Sequence, residues 1–77
     1  MKKQKITIVK KLDGHVYGIY DVIQINWYDG NNPELSSIRV DFDGNMMLMF
    51  PLQTAEGVNT KTFENFQGNL IGHIVEE

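Results

Sequence analysis

The sequence predicts an all-β domain, a small five-stranded antiparallel barrel or sandwich, and three observations carry that expectation. Three Asp-Gly pairs, Asp13-Gly14, Asp29-Gly30 and Asp43-Gly44, punctuate the chain. Asp-Gly between apolar runs is a strong hairpin signal, because a two-residue type I′ turn needs positive φ at both central positions. The runs between the pairs alternate apolar with polar or are apolar throughout, as strands do. With 77 residues, the chain has room for one β-rich domain over 1–77 and one core.

The first hairpin is expected to turn at Asp13-Gly14. Leu12 then faces His15, Lys10 faces Tyr17 and Ile8 faces Ile19, which puts Ile6 and Ile8 on one face with Tyr17 and Ile19. That odd-numbered stripe runs on through Ile23, Ile25 and Trp27 and is interrupted only by Asp21, so the long second strand is expected to bend or bulge near Asp21, with Gly18 a second flexible point. "DGNNPE" reads as a loop, since Pro33 biases Asn32 toward extended backbone. "LSSIRVDF" alternates through Ile38, Val40 and Phe42, and "MMLMFPL" forms the fourth strand. Beyond Leu52 the pattern weakens. Phe63, Phe66 and Leu70 have helical spacing and predict a single helical or 3₁₀ turn near 60–67, with an extended "TKTFENF" as the alternative, before a final strand over 70–75. This element order, a four-strand meander, a helical turn and a last strand, resembles that of SH3-like barrels, a likeness that carries no function.

Composition removes several function classes. No cysteine is present, which excludes disulfides and thiolate zinc sites, and His15 and His73 stand far apart without acidic ligand spacing around them. A domain this small buries only about 60% of the surface of its unfolded chain, so oligomerisation is the remaining way to add to the core. "ITIV" is too short for a signal-peptide core, and no segment approaches the ~20 apolar residues of a membrane helix, so a cytoplasmic protein is expected. Lys2, Lys3, Lys5, Lys10 and Lys11 crowd the N-terminus, while from Leu12 onward ten acids face only Arg39 and Lys61. The lysines read first as protection of an edge strand. They are poor support for polyanion binding, because the acidic body would repel a phosphate backbone.

No enzyme is expected. The chain has no Gly-x-Ser-x-Gly elbow and no phosphate-cradling glycine loop, and its carboxylates are scattered over turns. Asp41-Phe42-Asp43-Gly44-Asn45 begins like a calcium loop, but with Asp41 as position 1 the glycine falls at position 4 and Leu52 stands where a bidentate glutamate is needed. Neither cofactor nor metal is expected. A base-stacking surface would have to come from Tyr20 and Tyr28, on the face of the second strand opposite the isoleucines, helped by Lys10 and Lys11. A third reading takes the acidic body, with Asp29, Glu34, Asp41, Asp43 and Glu56, as a mimic of nucleic acid.

The strongest signal is Met46 to Leu52, seven residues without a polar side chain. One face of such a strand reaches the core and the other must be covered by something. A two-residue turn at Asp43-Gly44 would put Met46, Leu48 and Phe50 outside with Arg39 and Asp41. A three-residue Asp43-Gly44-Asn45 loop would set Phe42 against Met46, Val40 against Leu48 and Ile38 against Phe50, leaving Met47, Met49 and Pro51 outside. Burying Leu48 and Phe50 is worth roughly 1.5 to 3 kcal/mol each, more than usual turn preferences, and favours the three-residue loop. The segment Met46, Met47, Leu48, Met49, Phe50 and Pro51 is therefore the expected interface of a small non-enzymatic module that self-associates or docks a protein. Pro51 suggests an edge where another chain could pair.

Overall fold

The computed structural model describes residues 4–27, 36–55 and 57–75. Among them six strands, β1 (Lys5–Lys10), β2 (Val16–Asn26), β3 (Ser37–Phe42), β4 (Asn45–Thr54), β5 (Gly57–Asn65) and β6 (Leu70–Ile74), form an antiparallel barrel in which each strand pairs with the next and β6 closes on β1. The all-β barrel class stands, with one strand more than expected. Tyr28 and the Asp29-Gly30 loop lie outside the described residues.

No helical turn occurs at 60–67, because that stretch belongs to β5 and the turn that follows it. Phe63 points into the core and Phe66 is 87% exposed, so their helical spacing reflects a strand followed by a turn. Asn65 builds that turn. Its side-chain oxygen accepts from the backbone N–H groups of Asn69 and Leu70, its amide donates to Asn69 Oδ1 at 2.7 Å, and its carbonyl accepts from Gly68 N–H. Four bonds on a buried asparagine offset its desolvation. Asn65→Ala is expected to destabilise by about 2 kcal/mol, measured by urea unfolding, whereas Phe66→Ala one position later should change little.

The core is Ile6, Ile8, Val22, Ile38, Val40, Met49 and Phe63. Ile6 and Ile8 are inside as expected, but their partners are Tyr20 and Gly18 rather than the odd stripe. Lys10 N–H donates to the His15 carbonyl, which closes a four-residue loop over 11–14 in place of a two-residue turn at Asp13-Gly14. Tyr17 is skipped in the β1–β2 ladder, where Ile8 pairs with Gly18 and Val9 with Val16. A one-residue shift exchanges the faces of a strand. Ile19 therefore sits outside, opposite Thr7, and is 60% exposed.

The bulge expected near Asp21 lies between Val22 and Gln24. It turns the end of β2 over, so Ile25 opposes the buried Ile38 and the Trp27 ring lies 6.0 Å from that of Phe63 at the barrel's end. Ile25 and Trp27 thus cover the barrel mouth, still partly in solvent, while Ile23 faces outward near the level of Arg39.

Asp43-Gly44 does form the two-residue turn. Asp43 has φ 52° and Gly44 φ 85°, the signs that a type I′ turn requires. Asp41 Oδ1 accepts the Gly44 N–H at 3.0 Å. The register is Val40 with Met47, Arg39 with Leu48 and Ile38 with Met49, so the three-residue loop is corrected. One further expectation changes because the barrel is closed. β1 pairs on both sides and is no edge for lysines to protect. Pro51 is buried and pairs with Phe63 of β5, beyond the last β3–β4 partners Ile38 and Met49 and next to a register shift at Pro51/Gln53, where its missing N–H is accommodated.

Candidate interaction surface

Register fixes what β4 presents. Met49 is fully buried, Pro51 is buried and Met47 packs partly against the core, so these three are not surface contacts. Met46, Leu48 and Phe50 point outward; Met46 is 58% exposed, Leu48 41%, and Phe50 half-buried. Of the six residues expected as an interface, the structure brings together the even-numbered three. Their lateral neighbours are charged: Asp41 opposes Met46, Arg39 opposes Leu48, and on the other side Glu64 opposes Phe50. Phe66 follows Asn65, the ladder partner of Met49, and so leaves the strand near the level of Leu48.

The result is an apolar stripe along one strand of a convex sheet, rimmed by charge. An apolar centre with a polar rim is how protein contact surfaces are built. Among the described residues no group of three or more His, Asp or Glu is placed to hold a metal. Of the would-be calcium ligands, Asp43 is a central residue of the type I′ turn and Asp41, in β3, accepts the Gly44 N–H of that turn.

The residues named for nucleic-acid contact are divided. Tyr20 lies on the inner face opposite Ile6, with its ring 4.8 Å from that of Phe42 and its hydroxyl donating to the Tyr17 carbonyl. Lost hydration, then the negative charge of Asp43, raises its phenol above the usual 10.0. This corrects the expectation of a solvent-facing ring: the side of β2 away from the outer isoleucines is the inside of the barrel. Tyr28 is outside the described residues. Lys10 and Lys11 do share a cleft of about 550 Å³ with Leu12, Tyr17 and Leu70 at the end of the barrel that carries the Asp43-Gly44 turn. Lys11 is held by Glu64 at 2.7 Å and Lys5 by Asp21 at 2.6 Å.

Of the acids grouped as a mimic, Asp41 and Asp43 line one shallow cleft with Asp21 and Lys5, while Asp29, Glu34 and Glu56 lie outside the described residues. The opposition of Asp21 to Asp41 went unforeseen, as did the outward Ile19 and Ile23. Ile19 depends on the bulge at Tyr17 in the β1–β2 ladder, and Ile23 and the Asp21–Asp41 pair depend on the β2–β3 register with its bulge between Val22 and Gln24, none of which the residue pattern marks. Comparison with protein-family profiles, with curated proteins and with solved structures finds no match to this chain.

Proposed function

We propose that this small barrel is a non-enzymatic interaction module that docks protein through the outer face of β4. The supporting observation is that Met46, Leu48 and Phe50 form one outward stripe that, among the described residues, no strand of the closed barrel covers. Among the described residues, closure leaves unpaired strand stretches only beyond the ends of the ladders, as in β5 before Thr62 and β4 after Met49, so docking by side chains on the sheet face is favoured over β-augmentation. Met46 adds an adaptable, polarisable contact. Self-association is the first form of docking to test: sedimentation should show a species heavier than the monomer at high micromolar concentration. Leu48→Glu should weaken it without lowering the melting temperature. A wild-type chain that stays monomeric, binds no hydrophobic dye and is indifferent to Leu48→Glu would remove the proposal.

A second reading, a nucleic-acid-binding barrel, has the Lys10, Lys11 and Tyr17 cleft in its favour. It has less support, because the Tyr20 ring is spent on Phe42, and Lys5 and Lys11 are each engaged by an acid. Anisotropy of a labelled oligonucleotide at low salt discriminates, since such binding must weaken steeply as salt rises.

A further inference from the structure

The charges beside the apolar stripe are arranged as a self-complementary set. On the outer face of β3, Arg39 stands beside Leu48 and Asp41 beside Met46, two residues apart, or roughly 7 Å along the strand. Among the described residues Arg39 has no ion-pair partner. Asp41 has the opposite problem. It faces Asp21 directly across the β2–β3 ladder, a like-charge pair that disfavours itself, and Asp43 lines the same shallow cleft. Among the described residues Lys5 is a cation there, bound to Asp21, which makes a further interaction as well. The face thus carries a guanidinium at one level and, at the next, the Asp41 carboxylate, which is in no ion pair among the described residues.

Resting on the reading above that this face is a docking surface, we infer that its occupant is a second copy of the chain, related by a two-fold axis lying in the interface and crossing β3 at Val40. Rotation about that axis sets β3 antiparallel on β3 and β4 on β4 of the partner. Arg39 of each copy then meets Asp41 of the other, within reach of Asp21 as well, and Met46 of each copy meets Leu48 of the other. A two-fold contact demands such reciprocity, since every residue must find its complement on an identical surface. Arg39 and Asp41 satisfy it as charges, and Met46 and Leu48 as apolar partners. Both sheets are convex, which confines the contact to the β3–β4 seam where these four residues lie.

The test exchanges charges. Arg39→Asp makes both reciprocal pairs acid on acid, and Asp41→Arg makes both base on base, so each single variant should dimerise at least about tenfold more weakly than wild type in sedimentation equilibrium. Mixed in equal amounts, the two should form a heterodimer, because the two acids that the first variant carries at these positions then face the two bases of the second; native mass spectrometry identifies it by mass. The double variant Arg39→Asp/Asp41→Arg should dimerise with itself. Asp41 also accepts a turn bond, so melting curves must first show that both single variants are folded. Should Asp41→Arg prove unfolded, Arg39→Asp mixed with wild type remains the measurement: the inferred geometry requires the mixed dimer to be weaker than the wild-type dimer and stronger than the variant's own.

A wild-type dimer that dissolves with Leu48→Glu but gives no charge-exchanged heterodimer would overturn this geometry while leaving the docking face in place. A wild-type monomer at all concentrations whose face still binds hydrophobic dye would also overturn it, and would assign the face to a different protein.

Discussion

Gly72→Val is expected to lower stability by about 3 kcal/mol, which for a domain of this size is roughly a 15 °C fall in melting temperature. Gly72 is buried on the inner face of β6, with Ile8 beside it on β1 and Phe63 beside it on β5. A Cβ placed there would stand 2.5 Å from Ile6 Cδ1, 3.0 Å from Ile6 Cγ1 and 3.2 Å from Ile8 Cδ1. Both isoleucines are fully buried and cannot swing into solvent. Valine adds two more carbons, so the strands must move apart where β6 closes the barrel. Gly72→Ala should fall between, and Ile6→Val, which deletes the nearest atom, should recover part of its loss in a double-mutant cycle. Thermal denaturation followed by circular dichroism checks this. A Gly72→Val protein melting within a degree or two of wild type would show that the close approach of β6 to β1 is wrong.

The strand class was legible because alternation and turn chemistry point the same way over most of the chain. Face assignment was less so, for reasons that can be located. The same dipeptide closes two different connections: Asp43-Gly44 supplies both positive-φ positions of a type I′ turn, whereas at Asp13-Gly14 only the glycine has positive φ and the loop takes four residues. The side chain of Asp13 accepts the His15 N–H there, a local bond that residue preferences do not reveal. The longer loop alone keeps the faces; the bulge that follows it, which skips Tyr17, is the one-residue shift that sends Ile19 outside and Tyr20 inside. The sixth strand was hidden for another reason. The inner face of β5 near its end holds Phe63 and then Asn65, a polar residue buried because the β5–β6 turn satisfies it, so the stretch shows little hydrophobic period. The candidate surface was legible as a segment and illegible as a face, since Met46 to Phe50 is apolar on both sides and carries no sign of its own orientation.

Orientation on β4 therefore has the sharpest consequence of any feature of the fold. Met49→Glu is expected to abolish the folded state at neutral pH, while Leu48→Glu, one residue earlier, should keep it. Met49 has no exposed surface and lies between Ile38 and Asn65 on the inner face. Truncating a buried methionine costs about 2 to 5 kcal/mol, and an uncompensated carboxylate adds several more. Against a total of about 0.05 to 0.15 kcal/mol per residue, or roughly 4 to 12 kcal/mol for 77 residues, that sum takes most or all of the stability. Leu48, outside and opposite Arg39, would place its new carboxylate beside a guanidinium in water, an exchange expected to stay within about 0.5 kcal/mol. The three-residue loop expected from the burial of Leu48 and Phe50 would reverse the two outcomes, because it puts Leu48 against Val40 in the core and Met49 in solvent. Far-ultraviolet circular dichroism and urea unfolding of the two variants decide between them. The physical reason the two-residue turn prevails is that the core is filled without Leu48 and Phe50. Met47 and Met49 occupy the inner positions and Pro51 fits at the bulge, so the burial gained in either register is similar and the positive-φ preference of Asp43-Gly44 decides. The same choice leaves Met46 and Leu48 exposed beside Arg39 and Asp41, and any partner of this barrel must be complementary to that pairing.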